Sequence, residues 1–365
     1  MEVENRPFIS DWAHVSQRGF ISGRSILQNV IDIETAALAA SYDADRRPVI
    51  LLFDFAAAFP SLPREYLWTC LRALGVPASS ISALRNLYAD NQHFFKFGGL
   101  LHTAFNVTSG VRQGCPASAS LFVLAIDPLL RAINSILPGG AQLCAFAEDL
   151  ALVLPCISLA PAVSAIFETF SLFSGLQLRY DKCACVPLWT SNVQLSKDTL
   201  AALVPRWASM SHTHCATYLG YTLGPEGPLH RFDKAIRKFR DRCLMIRSTG
   251  VSLASRIILY NALAVPVFSY LAQLTHFTSQ VATAEAQGLT SILRLPGNAI
   301  PPRLFGALSR LMKLYRAPTS MSSFFFTASR SRIVLVAPTS LGIATSRISS
   351  ASSSKTALLA PRFVN

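Results

Sequence analysis

The sequence predicts an α+β fold, and three observations carry that expectation. The apolar run VILLF (residues 49–53) reads as a buried strand that ends on the acid Asp54. Two further apolar runs, LCAF (143–146) and LALVL (150–154), flank the adjacent acids Glu148 and Asp149 and read as a strand pair with carboxylates at its tip. Helical stretches are intermixed with these strands instead of being segregated from them.

In chain order, GFISGRS (19–25) reads as a polar loop, and Ser25 is placed to cap a helix from Ile26 to about Ser41. Ser61 and Pro63 mark the start of a helix over Tyr66 to Leu74, which Gly75 and Pro77 stop; a second helix runs to about Asp90. His93 to Phe97, the turn Gly98-Gly99 and the run through Val107 form a hairpin signal. Pro116 opens a long helix reaching toward Leu137. Helix, strand and more helix follow to about Tyr270, and beyond about Leu311 the pattern decays into Ser-rich, charge-poor sequence. The abrupt opening residues suggest that an upstream part of a domain is missing.

Half of the 365 residues are hydrophobic (51%) and 15% are charged, a balance suited to a globular chain. The 33 basic residues against 20 acidic give a net charge of +13, which implies a polyanionic partner, either nucleic acid or an anionic membrane surface. The N-terminus has no cationic segment followed by an apolar core, so secretion is not expected and a cytoplasmic or nuclear location is. The charge-free stretch from Ile257 to Phe277 contains Asn261, Pro266, Gln273 and His276, which favour a buried helix over a membrane span. Eight scattered cysteines include no CxxC pair. Cys183, Cys185, His212, His214 and Cys215 fit no standard zinc spacing, so core thiols are the expected reading.

A carboxylate closing an apolar strand is costly to bury unless something compensates it. Asp54 is thus either a turn or capping acid or a metal ligand at a strand end. Glu148-Asp149 carries the same ambiguity with an ordinary hairpin turn. Two separated carboxylate sites suit divalent metal in phosphoryl transfer, where ions roughly 3.5–4 Å apart activate an attacking oxygen and neutralise the leaving group.

Five blocks occur in one order: QRGFISGRSILQNV (17–30), LLFDFAAAFPSL (51–62), SGVRQGCPASASLF (109–122), FAEDLALVL (146–154) and SGLQLRYDKC (174–183), followed by YLGYTLG (218–224). This ordered set resembles the reverse transcriptase domain of LINE-type (non-LTR) retrotransposons. Group II intron maturases share the palm logic, but QRGF and GRS point to the LINE type. The resemblance implies a right-hand polymerase: partial fingers over 1–48, a palm with an antiparallel sheet over 49–227 carrying a fingers insertion at about 75–112, and a helical thumb over 228–311. Residues 312–365 are left as a low-complexity tail, expected to be disordered.

The resemblance also implies roles. Asp54, Glu148 and Asp149 would hold two Mg²⁺, with Mn²⁺ as a substitute, and Lys182 would protonate the leaving pyrophosphate. Phe55 and Phe59 would line the nucleotide site, with Phe59 as the gate against a ribose 2′-hydroxyl; a core phenylalanine is the alternative. Gln113 and Gly114 would meet the incoming nucleotide, and Arg24 would touch phosphate or template unless it is a solvated loop residue. Tyr218, Leu219 and Gly220 match the primer grip. Arg231, Lys234, Lys238 and Arg242 share one helical face that would follow the template–primer backbone. The expected partners are an RNA template, a DNA primer and deoxynucleoside triphosphates, with no membrane.

One departure bears on activity. The family carries Asp-Asp at the acidic hairpin, where this chain has Glu148-Asp149. The expected function is RNA-directed DNA polymerisation impaired by Glu148, and the alternative is a catalytically inactive nucleic-acid-binding relic.

Overall fold

The computed structural model describes residues 6–294 apart from Gln113. The expected low-complexity tail therefore lies outside the described residues, as does the end of the expected thumb. The elements run α1 (Arg6–Trp12), α2 (Ile26–Ser41), β1 (Val49–Phe53), α3 (Ala58–Ser61), α4 (Arg64–Ala73), α5 (Ala78–Tyr88), β2 (Gln92–Phe97) and β3 (Leu100–Asn106). There follow α6 (Pro116–Ile136), β4 (Gln142–Phe146), β5 (Asp149–Leu154), α7 (Ala160–Ser174), β6 (Ala184–Pro187), α8 (Val193–Leu203), β7 (Ser211–His212), β8 (Ala216–Tyr218) and β9 (Tyr221–Leu223). The last described elements are α9 (Gly227–His230), α10 (Asp233–Ser248), α11 (Leu253–Leu259), α12 (Ser269–Leu274) and α13 (Ser279–Leu293).

A five-stranded sheet in the order β4-β5-β1-β6-β7 forms the centre, antiparallel except for the β6–β7 pair at one edge. Its strands read as continuous apolar runs because both faces are covered. On β1, Val49, Leu51 and Phe53 join one core while Ile50 and Leu52 join the other. On β5, Leu150, Leu152 and Leu154 alternate in the same way with Ala151 and Val153. Residues of α4, α6 and α7 belong to the first core, and residues of α2, α10 and α13 to the second. Truncating a fully buried strand residue such as Leu51 would cost about 2–5 kcal/mol.

Most elements match the sequence expectations. Ser25 caps α2, its hydroxyl accepting from Leu27 N–H. The Gly98-Gly99 hairpin forms, with both glycines at positive φ, and projects with every strand residue exposed. The α4 start differs: Ser61 ends the unanticipated short helix α3, and α4 begins at Arg64 behind Pro63 without a side-chain cap.

The expected single buried helix over 257–277 is also corrected. The chain there is α11, a π-helical stretch (Tyr260–Ala264), a 3₁₀ turn (Val265–Phe268) and α12. Pro266 has no N–H to continue the α-helical ladder, and one side of the segment packs through Tyr260, Ala264, Phe268 and Leu271 while Ile258 remains exposed. By length and composition alone this stretch (Leu253–Leu274), α6 and the stretch Ile157–Ser174 are long and apolar enough to cross a membrane. Cys183 and Cys185 are buried in the first core, and none of the eight cysteines is in a disulfide.

Candidate active site

The β1–β5 ladder ends on the pair Phe53–Leu150, so Asp54 and Asp149 come next on the two strands. Side chains alternate along a strand, and Phe53, Phe55 and Leu150 all enter the first core. Asp54 and Asp149 are therefore aimed to the same opposite face of the sheet. On the other side of β5, Asp149 pairs with Phe146, and Ala147 and Glu148 form the two-residue turn between them. Ala147 sits at φ 54°, a left-handed value that costs a side-chain-bearing residue energy.

The three acids share a field. Partial loss of hydration, then the charge of Glu148, then that of Asp54, raise the Asp149 carboxyl to about 6. Asp149 keeps contact with solvent at the start of β5. Among the described residues, no lysine or arginine forms an ion pair with Asp54, Glu148 or Asp149. This uncompensated charge is what a divalent cation would neutralise. No three of the described His, Cys, Asp and Glu side chains are gathered closely enough to hold a metal by themselves. That donor set fits Mg²⁺, which takes few protein carboxylates and completes its shell with water and phosphate oxygens.

The other sequence blocks are tied to this tip by backbone hydrogen bonds. Arg179 N–H donates to Asp54 O (2.8 Å) and Ala56 N–H to Gln177 O (2.8 Å), bringing the 174–183 block alongside the end of β1. Lys182 is exposed just before β6, at the same end of the sheet as Asp54. Val111 N–H donates to Phe59 O (3.0 Å) and Gly110 N–H to Leu62 O (2.8 Å), joining the third block to the second. Gly110 has φ 80°, and a Cβ there would meet Pro60 Cα and O at 2.7 Å. The Phe59 ring is partly buried and stacked on Phe122, with centroids 4.5 Å apart and planes at 15°. Gly114 has φ 86° and open space around it, and Gln113 lies outside the described residues.

Several expected roles change on placement. Phe55 is buried (4% exposed) near Phe167, so only its backbone can face a nucleotide. Arg24 is not a free phosphate contact: Nη1 donates to His14 O (2.7 Å) and Gln17 O (2.6 Å), and Nη2 to Ser10 O (2.9 Å) and Ala13 O (3.1 Å). It thus binds the N-terminal segment together.

Tyr218 is buried beneath the acidic hairpin, its hydroxyl accepting from Asn29 Nδ2 (3.1 Å) and reaching Cys144 O and Asp149 O at 3.4 and 3.5 Å. Leu219 and Gly220, both at positive φ, make the β8–β9 turn, and Tyr270 donates to Leu219 O (2.8 Å). On the expected basic face only Lys234 and Lys238 are exposed. Arg231 lies over the Tyr221 ring (4.6 Å) and pairs with Glu34, and Arg242 donates to Leu263 O (2.7 Å). Arg237 and Arg247, not singled out on that face, are exposed cations of the same helix.

Two polar residues that sequence reasoning passed over touch the acidic hairpin directly. Gln17 and Asn29 are both fully buried; Gln17 brackets Ala147, and Asn29 Nδ2 donates to Ala145 O (3.0 Å). Both lie in the first block, and that membership was the available signal. Arg18 completes the layer, donating to Asn29 Oδ1 (2.9 Å) and pairing with Asp32 (2.5 Å).

Comparison with known proteins agrees with this arrangement. The family model "Reverse transcriptase (RNA-dependent DNA polymerase)" matches residues 5–223. The chain is 30% identical over 178 residues to the retrovirus-related Pol polyprotein from the type-2 retrotransposable element R2DM of Drosophila melanogaster, covering 47% of this chain and 16% of that protein. It is 26% identical over 185 residues to the transposon TX1 149 kDa protein of Xenopus laevis, covering 48% and 14%. The chain therefore spans a small part of these relatives' length. Among solved structures it resembles apo telomerase from Candida tropicalis (TM-score 0.51, 13% identity, 84% of this chain and 49% of that one), a likeness of right-hand polymerase fold. A family that uses divalent metal ions, an acidic hairpin beside a strand-end aspartate and the ordered blocks agree: the chain belongs to the reverse transcriptase family, of the type found in non-LTR retrotransposons.

Proposed function

We propose that this chain extends a DNA primer 3′-hydroxyl on an RNA template, using deoxynucleoside triphosphates. The observation that carries this reading is the juxtaposition of Asp54 and Asp149 on one face, with Glu148 in the turn and no described cation paired to any of them. In this reading residues 1–48 belong to the fingers, 49–227 to the palm with its insertion at about 75–112, and 228–311 to the thumb, working in the cytoplasm or nucleus.

Asp54, Glu148 and Asp149 would hold two Mg²⁺, or Mn²⁺ in their place. When bound, such a pair lowers the barrier to attack and neutralises charge on the leaving pyrophosphate. The Phe59 ring, backed by Phe122, limits space at the sugar. Gly114 lets backbone approach the nucleotide, next to Gln113. Lys182 Nζ donates a proton to the leaving pyrophosphate. Lys234 and Lys238 meet backbone phosphates of the template–primer duplex.

A second reading, a nucleic-acid-binding relic, is favoured by Glu148 itself. Its extra methylene shifts the carboxylate by roughly 1.5 Å relative to aspartate. Primer extension on a poly-rA template with an oligo-dT primer, run in Mg²⁺ and Mn²⁺, separates the two. Incorporation in either metal supports polymerisation, and binding without incorporation in both supports the relic.

A further inference from the structure

We infer that Gln17 is a positioning residue that holds the acidic turn in its working shape. This inference rests on the reading of Asp54, Glu148 and Asp149 as the polymerase site. The turn needs an external hold, because Ala147 adopts φ 54° without being glycine and two adjacent acids, Glu148 and Asp149, follow it. Gln17 supplies one. Its Oε1 accepts from Ala147 N–H at 2.8 Å and from Gly19 N–H at 2.8 Å, and its Nε2 donates to Ala147 O at 3.2 Å. Both polar groups of the left-handed residue are thus satisfied by one side chain that is itself fully buried.

The holder is held in turn. Residues 16–18 run parallel to the edge strand β4: Ala145 N–H donates to Ser16 O (2.8 Å) and Arg18 N–H to Ala145 O (2.8 Å). Arg24 donates to the Gln17 carbonyl at 2.6 Å. Gly19 allows this approach, since a Cβ there would come within 2.4 Å of Ala147 N. A glutamine used only for packing would not require matched donor and acceptor on the residue preceding Glu148. The first sequence block therefore reaches the chemistry through the shape of the turn.

The test uses Gln17→Met, which keeps volume and discards the amide, and Gly19→Ala, which keeps Gln17 and presses a methyl against Ala147 N. The readout independent of activity is hydrogen exchange at the Ala147 amide, followed by ¹⁵N NMR. In the natural chain that N–H is held by Gln17 Oε1 at 2.8 Å and should be protected. In each folded variant it should exchange about tenfold faster or more, the scale of one lost hydrogen bond, while amides within β4 and β5 keep their protection. In a Glu148→Asp background the same variants should lose about tenfold or more in kcat, the scale of a catalytic misplacement, with nucleotide KM and template affinity unchanged. Should Gln17→Met fail to fold, exchange in Gly19→Ala decides. Unchanged Ala147 exchange in a folded variant would overturn the inference. If nothing polymerises, the proposed function fails, and the exchange rate still judges the clamp.

Discussion

Asp54 and Asp149 stand next to each other across the β1–β5 ladder, one step beyond the Phe53–Leu150 pair and on the same face of the sheet. Glu148, the residue at the family's first hairpin acid, is instead in the turn, beyond the regular pairing. The pair on the sheet is therefore positioned by strand register, and the third acid by the conformation of Ala147 and the side chain that brackets it.

The elevated Asp149 carboxyl has a consequence for stability. Folding raises its pKa from the ordinary 3.8 to about 6, so the folded state binds this proton more readily than the unfolded chain. The associated stability is complete below about pH 4 and is lost as pH rises to about 6 and beyond. Asp149→Asn should accordingly unfold at a higher temperature than the natural chain at pH 7.5 and at the same temperature at pH 4. The gain should stay below about 1 kcal/mol, because the group is exposed and screened. Thermal melts across pH 4–8 check this, and a difference independent of pH would contradict it.

Phe59→Val should admit ribonucleotides, since removing the ring opens the space beside the sugar. Exclusion has to be steric, because an apolar pocket rejects an added hydroxyl only about 10²-fold. The stacking on Phe122 would also be lost, lowering stability by about 0.5–1.5 kcal/mol beyond the area effect. Competition between ribo- and deoxynucleotides measures the gate. Unchanged selectivity together with lowered stability would make Phe59 a packing residue only.

The cations from Arg231 into helix α10 divide into two classes. Lys234→Ala with Lys238→Ala should flatten the dependence of log affinity on log salt by about one to two units, with the fold intact. Arg231→Ala and Arg242→Ala should leave that slope nearly unchanged. Each should instead lower stability, Arg242→Ala by about 1–3 kcal/mol because the Leu263 carbonyl loses its side-chain donor, and Arg231→Ala by less because Glu34 keeps the Tyr221 hydroxyl. Binding titrations over a range of salt, paired with melts, separate the classes, and the reverse assignment would move the nucleic acid to another face.

Much of the framework was legible in the residues. VILLF and LALVL read as apolar strands and form them, and of the two acids between LCAF and LALVL, Glu148 sits in the hairpin turn while Asp149 is already paired in the ladder. The right-hand architecture came from the ordered blocks, since pattern alone reached only α+β. Arginines were least legible: Arg24, Arg231 and Arg242 look in sequence like free cations, yet each finds a carbonyl or carboxylate partner that only tertiary contact supplies. Gln17 was hidden for the same reason, because a polar residue beside a loop gives no sign that its amide will be buried. The break at Pro266 was visible as a proline, but the apolar character around it argued for one continuous helix.

Primer extension by the natural chain, Glu148→Asp and Glu148→Asp/Asp54→Asn, side by side in Mg²⁺, tests the central claim most directly. A misplacement of about 1 Å at a catalytic site costs up to about 10²-fold, so the natural chain should be weak or silent. Glu148→Asp should raise activity at least about tenfold, equivalent to about 1.4 kcal/mol of barrier. Adding Asp54→Asn should abolish that activity while template binding and the circular dichroism spectrum stay unchanged. Equal activity in the natural chain and Glu148→Asp would contradict the assigned role of Glu148. Polymerisation that survives Asp54→Asn would contradict the site as a whole.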